Sequence, residues 1–411
     1  MPAKVNLSPD VGTQRPLGAI EEFHYLLKQF VSPTIVLAVD VEGKVDPERW
    51  HTAVEAVSQR HPLLRSIVIR QPPRRPIFQV VSETARQAAR VLPLENADLD
   101  TFYRDELQTS FALTDAPWRP TLFLGEARAV LAISIDHTIS DGRGAAFLVQ
   151  ELLDVLSGAT LDGKMPLPLS HDQLLGLKPS DLYLKERASI FRQQPEGTPP
   201  SSETAAGLVI EHESIDDTML QKIAAAARIN GTTIHGALTA ALIFTGAKLH
   251  DPWAAKPIGY ISPIDNRPFL DNAGQFGVFL TYQGGDFVSS SSDFWTLARR
   301  VRQEIVSALT PAHSAEVVRS MQGAMASEML PEDTLQFFKP WDLMVTNYGA
   351  LPIASDYGSL RITAIRPHIT SIPQSQTVSA ATIGGRLSLS NVSLAPIPNL
   401  LAETKTFLAD L

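Results

Sequence analysis

One short stretch constrains this chain more than any other. Residues 129–135 (AVLAISI) alternate as a β-strand does, and 142–158 (GRGAAFLVQELLDVLSG) place Ala145, Leu148, Val149, Leu152, Leu153 and Leu156 at helical spacing before Gly158 ends the run. Between them lies a polar loop, Asp136-His137-Thr138-Ile139-Ser140-Asp141-Gly142. A strand handing over to an amphipathic helix through so short a loop forces a mixed α/β architecture, and it sets a histidine at the strand's end, where rigid scaffolds collect reactive groups.

The rest of the chain continues in the same style. Residues 18–30 read as a helix and 34–42 (TIVLAVDVE) as a strand. Asp46 followed by Pro47 is an N-cap with an N1 proline, opening a helix to about Gln59. SIVIR (66–70) and PIFQVV (76–81) are strands joined by the turn QPPRR, and TLFLG with AVLAISID forms a hairpin around Gly125–Arg128. After a Pro/Ser/Thr/Gly-rich stretch at 193–207, LVIEHESI reads as a strand and DDTMLQKIAAAARI as a helix. TTIHGALTAALIFTGAKL is an apolar helix capped by Thr232 or Thr233. With 411 residues, the simplest parse is two mixed α/β lobes, 1–192 and 208–411, joined by a linker at 193–207.

Composition narrows the function classes. Hydrophobic residues make up 44%, enough for large cores, so wholesale disorder is excluded. The net charge of −9, with no long basic run, argues against nucleic acid or anionic lipid as a partner. Without cysteine there is no disulfide, thiolate metal site or cysteine nucleophile. No apolar run reaches the ~18 residues of a membrane span, and the N-terminus has no signal-peptide core, so the expectation is a cytoplasmic protein, monomeric and without resident metal.

His137 suits proton transfer near neutral pH. An HxxxDG pattern arises by chance roughly 0.03 times in a chain with these His, Asp and Gly contents, which makes it informative; the bland alternative is a packing histidine in a helix-entry loop. Asp136 and Ser140 crowd the same loop too closely for a Ser-His-Asp triad, and no GxSxG elbow is present. Strand alternation sends His212 to the face opposite Glu211 and Glu213, which reads as solvated charge rather than a metal site. His235 reads as a core histidine, and His313 has no partner at metal spacing. Gly384-Gly385 is a hairpin turn. Arg74-Arg75 reads as a solvated hairpin tip, with contact to an acidic carrier or coenzyme A phosphates as the lesser alternative.

Five segments, in order, resemble the chloramphenicol acetyltransferase-like superfamily of HxxxDG acyltransferases. That group spans peptide-synthetase condensation domains, polyketide-associated acyltransferases and fungal O-acyltransferases. The segments are RHPLLRS (60–66), DHTISDG (136–142), INGTTIHGALTAAL (229–242), SPIDNRP (262–268) with GQFGVFLT (274–281), and WDLMVTNYG (341–349). The resemblance implies two acetyltransferase-like lobes facing each other as a pseudo-dimer, with an active-site channel between them. His137 would be the general base, its other ring nitrogen held by backbone. Asp141 would pair with Arg267 across the lobes rather than relay charge, and Gly142 would permit the turn into the helix. Thr346 and Asn347 would lie where the second lobe's loop approaches the histidine, as a substrate or oxyanion contact.

The implied reaction moves an acyl group from a thioester to a hydroxyl of a secondary-metabolite or lipid acceptor. The donor is coenzyme A or an acyl carrier protein acting in trans, and no cofactor is permanently bound. Alternatives are a condensation-like enzyme forming an amide, epimerising or cyclising a carrier-bound intermediate, and a non-catalytic recruitment module. Asp136 stands where condensation domains usually carry a first histidine, and TNYG replaces the DFGWG of the plant branch, so neither subgroup's pattern is complete here.

Overall fold

The computed structural model describes residues 13–28, 31–71, 74–81, 89–112, 115–178, 207–271, 276–288, 293–326, 341–372 and 375–411; of the linker expected at 193–207, all but Gly207 lies outside them. The strands of the first half are β1 (Gln14–Pro16), β2 (Thr34–Glu42), β3 (Ser66–Gln71), β4 (Arg74–Val80), β5 (Arg90–Pro93), β6 (Trp118–Leu124) and β7 (Arg128–Asp136). Those of the second half are β8 (Val209–Ile215), β9 (Ile258–Asp265), β10 (Leu280–Phe287), β11 (Leu343–Ala350), β12 (Arg361–Ile369), β13 (Gln376–Ile383) and β14 (Arg386–Ser393).

Two sheets carry the two lobes. One has the order β12-β2-β7-β6-β5 and the other β10-β9-β11-β13-β14-β8, with a small β1-β4-β3 sheet beside the first. The expected hairpin is present, Leu124 facing Ala129. The lobes do not divide at one point in sequence. β12 comes from the second half yet pairs antiparallel with β2 at the edge of the first sheet, Ile369 opposite Ile35. The first helix, Ala19–Leu27, makes the reverse crossing: Ala19, Ile20 and Phe23 bury against Val278, Leu280 and Val318.

Local chemistry explains the helices. Asp46 accepts the Glu48 N–H, and Pro47 opens Pro47–Arg60, whose Trp50, Ala53, Val54 and Val57 form one buried stripe. Thr233 is the cap of Ile234–Leu249, while the neighbouring Thr232 hydroxyl donates to the Ala298 carbonyl. Gly384 and Gly385 make the β13–β14 turn with φ of +53° and +78°, values that glycine adopts without strain.

Two expectations are corrected. Arg75 is no solvated hairpin tip. β4 lies beneath the first helix, and Arg75 is buried 3.6 Å from Glu22 and 4.0 Å from Asp172. The Glu211-His212-Glu213 charges are engaged rather than simply solvated. Glu211 accepts the Asn399 N–H, Glu213 pairs with Lys405 at 2.8 Å, and His212 turns to the opposite face beside Asp100 and the rings of Tyr103 and His368.

Candidate active site

The site begins with β7, an interior strand flanked by β2 and β6. Thr34 on β2 stands opposite Asp136, so the chain leaves the sheet beside the segment that precedes β2, and the His137 N–H donates to the Pro33 carbonyl at 2.8 Å. Asp136 then fixes the loop. One carboxylate oxygen accepts the Thr138 N–H at 3.0 Å and the other pairs with the Lys28 ammonium. The residue standing in place of a first histidine thus has structural work in this chain.

Asp141 closes the loop and caps the helix Gly142–Leu156. Its carboxylate accepts the Gly144 N–H at 2.8 Å, the Phe279 N–H at 2.9 Å and both arms of the Arg267 guanidinium at 2.9 Å. Arg267 also donates to Asp265 at 3.0 Å and to the Gly277 carbonyl. Burial opposes the Asp141 charge, but Arg267 and the two backbone N–H groups outweigh it and hold the carboxyl below the usual range. A carboxylate so fully committed ties the loop to the second half; it is not available to accept a proton from His137.

Gly142 has a different reason from the one the sequence offered. A β-carbon there would sit 2.4 Å from ring carbons of Tyr348, so glycine is required by the packing of a second-half aromatic ring against the start of the helix. The structure does not bring Asn347 to the histidine. Leu343 and Val345 belong to the second half's core and Met344 and Tyr348 to the other face, so Asn347 falls on the wrong side of the strand; its side-chain oxygen accepts the Gly349 N–H at 2.9 Å. Thr346 is buried on the Met344–Tyr348 face, but of β11 only Met344 lines the cavity at His137.

That cavity, of about 70 Å³, lies between the halves. Phe23, Leu27, Val31 and Pro33 wall it from the first half, and Pro263, Met344 and Ile369 from the second. Its polar side chains are His137, His24, Tyr282 and Thr370, with the indole of Trp341. Tyr282 and Trp341 also line a wider cleft of about 490 Å³ beside it. His137 is 5% exposed. Burial lowers its pKa below that of free histidine, opposed by the Asp141 charge and by the nearby His137 and Ser140 carbonyls and Asp136; its Nδ1 is buried without a hydrogen-bond partner among the described residues, so the backbone bond expected to hold that nitrogen is not made. The ring is therefore a neutral imidazole at physiological pH, the form a general base needs.

His24 is a functional-site residue that sequence reasoning missed. It lies on the first helix, after Glu21 and Glu22, and its ring stacks on His137, centroids 3.8 Å apart and planes 17° from parallel. Its Nε2 lies 3.0 Å from the Tyr282 hydroxyl. Other histidines stay apart. His235 bonds to the Tyr260 hydroxyl at 2.7 Å, and His171 meets Asn266 and Ser314 in a buried network. Among the described residues no group of three or more His, Asp or Glu is placed to hold a metal ion, and no helix is long and apolar enough to cross a membrane.

Comparison with known proteins matches this arrangement. Tyrocidine synthase 3 of Brevibacillus parabrevis is 25% identical over 317 residues, which is 71% of this chain but 5% of that much longer protein. The trichothecene 15-O-acetyltransferase of Fusarium sporotrichioides superposes with a TM-score of 0.72 at 15% identity, over 98% of this chain and 99% of that one. Polyketide synthase associated protein 5 of Mycobacterium tuberculosis superposes with a TM-score of 0.68 at 16% identity, covering 98% of each chain. The two α/β lobes are the fold these structures share with this chain. The condensation domain profile matches residues 34–312, the greater part of the sequence including the whole His137 loop and Arg267, and the chain belongs to the condensation domain family.

Proposed function

We propose that this chain is an acyltransferase that moves an acyl group from a thioester to a hydroxyl, with His137 as the general base. The observation that carries this reading is a neutral imidazole lining a mostly apolar cavity between the halves, while the nearby Asp141 is bound to Arg267. His137 takes the acceptor hydroxyl proton as its oxygen attacks the thioester carbonyl. The tetrahedral intermediate collapses, the C–S bond breaks, and the proton passes from His137 to the departing sulfur. A thioester is already activated, so one positioned base, contributing typically about 10²–10⁴-fold, together with the orientation of two substrates, accounts for catalysis without a covalent enzyme intermediate. Coenzyme A or a carrier protein in trans supplies the donor as substrate, and no resident cofactor takes part. Apolar walls favour an apolar acyl group over a charged one.

The family match and the likeness to tyrocidine synthase 3 favour a second reading, in which the acceptor is an amine and an amide forms. Purified protein incubated with an acyl thioester and matched alcohol and amine acceptors separates the two by product mass. Acyl transfer adds the acyl unit to one acceptor or the other, and epimerisation leaves the mass unchanged. His137→Ala is expected to lose 10²-fold or more in turnover. Equal turnover in the variant and the parent removes His137 from the mechanism.

A further inference from the structure

The stack of His24 on His137 is the feature of the cavity that the reaction scheme leaves unused. Both rings are buried, at 2% and 5% exposure, and both line the cavity wall. The helix that carries His24 is anchored at its start. Gly18 N–H donates to Glu21, Arg15 pairs with Glu21 at 2.6 Å, and the Ala19 N–H donates to Asp172 at 2.8 Å. One edge of the His24 ring is fixed by the Tyr282 hydroxyl, and its Nδ1 is buried without a hydrogen-bond partner. A ring held at one edge by a residue of the second half and pressed flat against His137 restricts rotation of the His137 ring and keeps water from that face.

We propose that His24 is a positioning residue for His137. Oriented by Tyr282, it holds the catalytic ring by stacking and shields one of its faces, without exchanging a proton itself. This rests on the reading of His137 as the base. Its charge environment is set by Asp136 with Lys28 at the strand end, Asp141 with Arg267 at the helix cap, His24 on the first helix and the neutral Tyr282 on β10. A proton on His137 disfavours one on His24, and burial keeps His24 neutral, so the pair takes up one proton and not two. The neutral face of His24 lies against His137 and keeps water from it, which disfavours the protonated ring.

The test compares the parent with His24→Ala and His24→Phe, each checked by urea unfolding. It measures the His137 imidazole titration by NMR without substrate and the pH profile of kcat/KM. Alanine uncovers the ring. His137 is expected to titrate closer to 6.5, the acid limb of the profile to move up with it, and kcat to fall about tenfold to a hundredfold with little change in KM. Phenylalanine restores a flat apolar ring, so the acid limb stays with the parent and most of kcat returns. Should His24→Ala fail to fold, Tyr282→Phe removes the bond that orients His24 and is expected to give the same upward shift in smaller measure. An unmoved His137 titration in the alanine variant, or in Tyr282→Phe where that replaces it, overturns the proposal. So does a phenylalanine variant as impaired as the alanine one, because a proton or hydrogen bond from His24 would then be required. Since the NMR titration involves no turnover, these outcomes are separate from whether His137→Ala loses activity.

Discussion

Replacing Asp141 by alanine is expected to damage folding before it damages chemistry. The side chain accepts four hydrogen bonds, two from Arg267 at 2.9 Å, one from Gly144 at 2.8 Å and one from Phe279 at 2.9 Å. Breaking a buried ion pair from one side costs roughly 3–5 kcal/mol because the other charge stays behind, and losing a helix cap adds about 1 kcal/mol. Arg267, whose side chain is 9% exposed, keeps Asp265 as a partner at 3.0 Å, which offsets part of the cost, so about 4 kcal/mol is the expected loss. Urea unfolding of Asp141→Ala, Arg267→Met and the double variant completes a cycle. The double variant should be more stable than Asp141→Ala alone, with a coupling of about 2 kcal/mol or more, since methionine removes the stranded charge. The pH dependence has a definite sign. The folded-state pKa of Asp141 is depressed, so its contribution is complete above the unfolded value near 3.9 and fades as pH falls through the lower folded value. The gap between parent and Asp141→Ala should thus be flat around neutrality and close only in strong acid. An Asp141→Ala protein that unfolds at the parental urea concentration yet has lost turnover would refute this reasoning and give the carboxylate a catalytic role.

The remaining predictions concern pH and packing. With His137 held below the free-histidine value, the acid limb of kcat/KM should have its midpoint below pH 6.5; a decline centred above 6.5 contradicts the burial argument. Gly142→Ala places a methyl group 2.4 Å from the Tyr348 ring and should lower stability by about 1–3 kcal/mol in urea unfolding, with part regained when Tyr348→Ala is added. Burial pushes His171 down to about 4, so the unfolded chain binds its proton first. Stability should therefore fall between pH 6.5 and about 4, by about 3 kcal/mol in total from this group, and His171→Gln should flatten that slope.

What could be read from the sequence was whatever is held by neighbours along the chain. The β7 strand, the loop and the stripe from Ala145 to Leu156 are local, and their periods show them directly. Asp141 and Arg267, 126 residues apart, could be joined only through the resemblance to a family, since neither residue's spacing points to the other. His24 was invisible for the same reason. A helix period marks its position as buried but says nothing of which ring faces it, and the stack depends on where the first helix docks across the halves. β12 alternates like any strand, and only its register with β2 shows that it serves the other lobe's sheet. Arg75 misled because a Pro-Arg turn looks solvated until the helix bearing Glu22 covers it. Asn347 misled by strand parity, one residue placing it on the face away from the histidine.

These placements bear on how the His137 imidazole is tuned. In a Ser-His-Asp arrangement a carboxylate steadies the imidazolium directly. Here the nearest carboxylates are already neutralised, Asp141 by Arg267 and Asp136 by Lys28, so their fields reach His137 weakened. Burial then sets the direction, and His137 is a weaker base than free histidine. A base of that strength would give up its proton readily, which suits the proposed reaction, whose second half returns the proton to a departing thiolate. The same balance also constrains the partner ring. Had His24 been able to charge, it would repel the imidazolium at 3.8 Å; buried and bonded to Tyr282, it stays neutral and offers only its face. The cavity thus stacks two neutral rings face to face, and the ion pairs beside them join the two halves of the protein around that stack.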